Sequence, residues 1–105
     1  MYNEILMPKT LDALVVALCA DYSRRAEAID LRELPFNVIM EYRFLNYRII
    51  TAAMEIAGER DALTFVSEIG GRHGYVNSGT YLSESVYKTR KKEIKQNIAK
   101  KLSLL

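Results

Sequence analysis

Four lysines, Lys88, Lys91, Lys92 and Lys95, recur at helical spacing in the segment SESVYKTRKKEIKQNIAKKL, residues 83–102. On a helical wheel they fall within an arc of about 100°. Ammonium groups at that density suit phosphate oxygens, and nucleic acids present phosphates in a regular array. The charge is local: residues 84–105 carry seven Lys and Arg against two Glu, a net +5, while residues 1–83 carry a net −3. An acidic body with one basic terminal segment points to a polyanion held at one place, nucleic acid first and an anionic membrane second. Beside the lysines Tyr87, Ile94, Ile98 and Leu102 form an apolar stripe. One helix thus offers an apolar side to a protein body and an adjacent basic ridge to something else. Thr89 adds a polar neighbour, whereas Arg90 projects well away from the ridge. The same pattern also fits lysines that lay their stems along an apolar surface and keep their charge in water.

Other chemistry has little to stand on. Cys19, the single cysteine, lies among Val15, Val16, Leu18 and Ala20, where a small buried thiol is the ordinary occupant. His73, the single histidine, sits in a glycine-rich stretch between Arg72 and Gly74, so neither zinc spacing nor a general acid–base pair is available. The stretch GGRHG lacks the lysine and hydroxyl residue of a phosphate-binding loop. No enzymatic activity, cofactor or metal is expected. The run LDALVVALCADY could pass for an export signal. Glu4 before it, Asp12 within it and Leu18 next to the cysteine argue against that reading. No apolar run approaches the ~20 residues that cross a bilayer, so a cytoplasmic protein without membrane contact is expected.

The elements that must position the ridge are helical. After a lead-in over residues 1–9, Thr10 caps a helix carrying Leu11, Leu14, Val15, Leu18 and Tyr22, which frays near Ile29. A second, long helix runs from Pro35 to Gly58, with Val38, Tyr42, Leu45, Ile49, Ala52, Ala53 and Ile56 as its apolar stripe. A third covers about Arg60 to Ile69, with Leu63, Val66 and Ile69 inward and Gly70 as its stop. The stretch GGRHGYVNSGTYL reads as a loop with a brief turn of helix or an extended pair. Ser83 then caps the last helix, with Glu84 at its positive end. The expectation is a single all-α domain over residues 1–105, a small bundle of about four helices around the long second one.

The segment LSESVYKTRKKEIKQNIAKKL resembles the C-terminal part of phage-associated transcriptional regulators of the ArpU and RinA type, relatives of the sigma-factor C-terminal DNA-binding region. Ser83, Glu84, Tyr87 and Lys91 stand at the positions of a Ser-Glu-x-x-aromatic-x-x-x-Lys pattern that opens the second helix of their helix-turn-helix. The resemblance extends upstream through MEYRFLNYRI and FVSEIG, over about two-thirds of the chain. It implies a DNA-binding regulator of phage or prophage genes that uses the final helix for recognition. Ser83 would be the cap, Glu84 and Ser85 would face the groove entrance, and Tyr87 would pack or touch a phosphate. Lys88, Lys91 and Lys92 would supply most of the attraction. One departure is the length of about a dozen residues between Ile69 and Ser83, where a helix-turn-helix has ~3 to 4. Either a small helix lies in YVNSGTYL or the motif is degenerate. Double-stranded DNA is the implied partner, with RNA polymerase a further one, and a homodimer is expected because so small a chain reads a palindrome in pairs. The alternative is a phage-encoded helical adaptor without DNA affinity, for which Phe44 and Tyr47 on the long helix would supply a second interface.

Overall fold

The computed structural model describes residues 7–105. Residues 1–6, with most of the expected lead-in and Glu4, lie outside the described residues. The described chain is all-α, with five helices of ten residues or more and one single turn: α1 Lys9–Ala20, α2 Tyr22–Leu31, α3 Phe36–Ala57, α4 Glu59–Gly70, α5 Tyr75–Ser78 and α6 Glu84–Lys101. α3 lies centrally, packed most extensively against α4 and α6, with α2 along its first half.

α3 begins after Pro35 and ends at Gly58, whose φ of 83° belongs to the left-handed region that only glycine enters without strain. Its expected stripe faces inward: Ile49, Ala52 and Ala53 are buried, and Val38, Tyr42, Leu45 and Ile56 half-buried. With Val15 and Cys19 of α1, Ala62, Phe65, Val66 and Ile69 of α4, and Tyr87, Ile94, Ile98 and Ala99 of α6, these residues make one core.

Three expectations need correction. The first helix does not run through to Ile29, because α1 and α2 meet at Asp21 in a one-residue joint. The cause is Arg25, which is 2% exposed and uses its guanidinium to hold the joint together. Its Nη2 donates to the Leu18 carbonyl at 2.6 Å, its Nε to Asn46 Oδ1 at 2.7 Å and its Nη1 to Asp21 Oδ2 at 3.2 Å. Asn46 in turn donates to the Tyr22 carbonyl at 3.1 Å, which ties the corner to α3. The start of α1 also shifts: the helix opens at Lys9 behind Pro8, and Thr10 lies inside the first turn without a capping bond.

The second correction concerns inward faces. Leu14 and Leu63 are 44% and 56% exposed; the expected Val15, Cys19, Val66 and Ile69 are buried, and Ala62 and Phe65, not expected inward, join them in the core. A run of adjacent apolar residues leaves the phase of the buried face open by a residue, and the packing partner decides it.

The third concerns Gly70. It does not stop α4. The stop is made by Arg72, whose φ is 57°, with Arg72 N–H donating to the Ile69 carbonyl at 3.1 Å and His73 N–H to the Glu68 carbonyl at 2.9 Å. This is a Schellman closure with arginine in the left-handed position. Gly70 instead allows contact between helices, since a Cβ there would lie 2.5 Å from the Ala20 nitrogen and 2.7 Å from the Cys19 carbonyl carbon. α4 crosses α1 backbone on backbone at this point.

Candidate nucleic-acid interface

Ser83 opens α6 by accepting from the Val86 N–H at 3.4 Å, and its carbonyl accepts from the Tyr87 N–H at 2.9 Å. Tyr87 then anchors the helix. It is 1% exposed, with ring centroids 5.6 Å from Phe65 and 5.7 Å from Tyr75. Its hydroxyl donates to Glu68 Oε1 at 2.9 Å. Burial, reinforced by the Glu68 carboxylate, pushes the phenol up to about 12, so it remains a donor at neutral pH. Of the two roles implied for Tyr87, this geometry leaves packing, because no phosphate reaches so enclosed a ring.

The segment before α6 is pinned rather than loose. α5 supplies one turn of helix in YVNSGTYL, and residues 79–83 separate it from α6. Tyr75 Oη donates to the Leu82 carbonyl at 3.0 Å, and Ser78 Oγ to the Tyr75 carbonyl at 2.7 Å. Tyr81 Oη reaches Asp61 Oδ2 at 2.7 Å, with Arg60 5.1 Å above its ring. α4, the α5 turn and α6 are thereby held together.

The four lysines divide into two pairs. Lys91 and Lys95 lie where the ridge overlaps the apolar stripe, and both turn to acceptors within the chain. Lys91 Nζ donates to the His73 carbonyl at 2.5 Å and sits 5.3 Å from the Tyr87 ring centroid. Burial, with a contribution from Lys95, lowers its pKa. Lys95 pairs with Asp12 of α1 at 2.9 Å, its side chain 24% exposed. Lys88 stands further out, 66% exposed, paired with its i−4 neighbour Glu84 at 2.8 Å. Lys92 is half-buried and is engaged as well. The row of four is therefore not one open comb.

On the open side of the first two turns of α6 stand Glu84, Ser85, Lys88 and Thr89, all exposed. Arg90 is half-buried and borders the other flank, in a shallow groove of about 370 Å³ that it shares with Ile56, Val86 and Glu93. Arg72 was not among the expected site residues. The α4 closure delivers it, exposed, to a cleft of about 380 Å³ lined also by His73, Lys91 and Lys95. Its position directly after a helix end was the only sign of this in the sequence.

Among the described residues no helix is long and apolar enough to cross a membrane, and no group of three or more His, Cys, Asp or Glu is placed to hold a metal ion. Comparison of the chain with protein-family models, with curated proteins and with solved structures finds no match.

Proposed function

We propose that this chain is a DNA-binding regulator of transcription, phage-associated as its resemblance implies, that sets the first turns of α6 against duplex DNA. The observation that carries this reading is the mounting of α6: capped by Ser83, held from behind by Tyr87, Ile94 and Ile98, and open in front at Ser85, Lys88 and Thr89. A helix held from one side with hydroxyl and ammonium groups on the other meets the steric demand of a major groove. The Glu84–Lys88 pair is no obstacle, since exposed ion pairs contribute only ~0–1 kcal/mol and yield readily to phosphate. The phosphate-binding set is narrower than the sequence pattern suggested: Lys88 and Lys92 in front and Arg72 on one flank, with Lys91 retained by the His73 carbonyl and Lys95 by Asp12.

The test is binding of the folded protein to a mixed pool of duplex DNA at several salt concentrations. Log affinity should fall linearly with log salt, and Lys88→Gln and Lys92→Gln should each reduce the slope by about 0.9. Absence of binding at low salt by a protein shown to be folded would sink the proposal.

A second reading, a helical interaction module without DNA affinity, is favoured by one specific observation. α3 carries Phe36, Phe44 and Tyr47 at 77%, 58% and 67% exposure, an aromatic surface that DNA binding leaves unused.

A further inference from the structure

Phe36, Met40, Phe44, Tyr47 and Thr51 follow one another on α3 at intervals of four, four, three and four residues, which puts them in a single row on the face turned away from α4 and α6. Met40 is 41% exposed and Thr51 half-buried, so the row is continuous and open over most of the helix. Single exposed apolar residues are ordinary, but a contiguous row of three aromatics marks a contact surface. α2 covers the other side of the first half of α3, so no other helix among the described residues closes over this face.

The charges beside the row say what does. Glu41, exposed, and Arg48, half-buried, lie on the same flank, seven residues apart. When two copies of a helix pack antiparallel about a two-fold axis, each flank meets itself, and residues pair whose numbers have a nearly constant sum, an offset of one residue being only about 1.5 Å along the axis. With the axis at Phe44, that ring meets its own copy, and to within one residue Met40 lies opposite Tyr47, Phe36 opposite Thr51, and Glu41 opposite Arg48. Apolar residues then fall against apolar or small ones and acid falls against base, twice over. Arg48 is preset for this role, because its guanidinium lies 4.8 Å above the Phe44 ring and donates to the Lys101 carbonyl at 2.8 Å, with donors left over. Hollows of about 680 Å³ and about 420 Å³, both bordered by Phe44 and Arg48, give the partner's side chains somewhere to enter. At roughly 200 Å² for a fully exposed aromatic ring, the exposed parts of the three amount to about 400 Å² per copy. Met40 and the flanking stems bring the total for two copies to about 1,000 Å², the lower bound for a specific interface.

We propose that the Phe36–Thr51 face of α3 is a two-fold interface at which a second copy of this chain packs antiparallel, centred on Phe44 and fixed in register by reciprocal Glu41–Arg48 pairs. It is independent of DNA binding and goes beyond it. The test is sedimentation of the whole chain across a concentration series, with circular dichroism to show that each variant remains folded. The native chain should show a monomer–dimer equilibrium, and Phe44→Ala should raise its dissociation constant by about 30-fold or more. Glu41→Arg and Arg48→Glu should each weaken self-association, yet an equimolar mixture of the two single variants should associate, since each then supplies the charge the other needs. A native chain that stays monomeric throughout, a dimer indifferent to Phe44→Ala, or a mixture no better than its components would overturn the proposal. Because no DNA is present, failure here leaves the DNA reading standing, and the reverse also holds.

Discussion

Replacing Arg25 by methionine tests the claim that one buried guanidinium makes the corner between α1 and α2. Methionine roughly keeps the length and removes every donor. The Leu18 carbonyl and Asn46 Oδ1, bound at 2.6 and 2.7 Å, lose their partner in a region where Arg25 itself is only 2% exposed. Leaving a buried acceptor unpaired costs about 1–3 kcal/mol, so two such groups, with the weaker Asp21 contact, should cost about 3–5 kcal/mol. A chain of this size has roughly 5–15 kcal/mol in all, so the variant should lose a large share of its stability. At about 4–8 °C per kcal/mol, the melting temperature should fall by at least ~12 °C. Adding Asn46→Leu should recover part of that loss, because it removes one orphaned acceptor and replaces a polar pair by apolar packing. Arg25→Lys should fall between, since a compact ammonium cannot span three acceptors set in a fork. Urea denaturation followed by circular dichroism measures all three. If Arg25→Met costs under ~1 kcal/mol, or the double variant is as unstable as the sum of the singles, the corner is held by something other than this network.

Other consequences are as direct. Burial pushes the Cys19 thiol up to about 12, so the native protein should resist alkylation at neutral pH and react only on unfolding, as labelling with and without denaturant would reveal. Gly70→Ala places a methyl against the α1 backbone and should destabilise the fold by about 1–3 kcal/mol, measured by urea denaturation, whereas Gly74→Ala, with open space around its Cβ position, should be close to neutral. The hydrogen bond from Arg24, together with the nearby charges of Arg24 and Arg25, holds the Asp21 carboxyl below its usual range. Its stabilising effect is therefore present above the ordinary carboxylate pKa and is lost as pH falls through the depressed one. Asp21→Asn should flatten the fall in melting temperature between neutral and acidic pH.

How much of this was legible in the residues depended on whether the deciding partner was near in sequence. The bounds of α3, set by Pro35 and Gly58, and the start of α6 at Ser83 were readable because each is fixed by its own backbone or by a neighbour three residues away. The stripe of Tyr87, Ile94 and Ile98 was readable because its phase is unambiguous, all three being fully buried. The α1–α2 joint was not, because Arg25 looks like a surface charge until Asn46, on another helix, is brought to it. Gly70 reads equally well as a stop or as a crossing point until Ala20 lies against it. The basic ridge fails for the same reason. The wheel places four lysines together correctly, but Asp12 and the His73 carbonyl, which take Lys95 and Lys91, lie far away in sequence.

The joints themselves constrain what a pair of these molecules could read. Asp21 alone links α1 to α2 and Gly58 alone links α3 to α4, while α6 packs directly on α3. A body jointed this tightly has no tether to lengthen. If two copies meet along α3 while each α6 lies on DNA, the separation of the two reading heads is a fixed length. Duplex DNA repeats about every 10–10.5 base pairs, so an operator whose half-sites are moved apart by about half a turn would present the second one on the wrong side of the helix. Proteins with flexible linkers absorb such insertions, whereas this one would lose the second half-site outright. The spacing of its operator would then be as much a property of Gly58 and Asp21 as of any residue that touches a base.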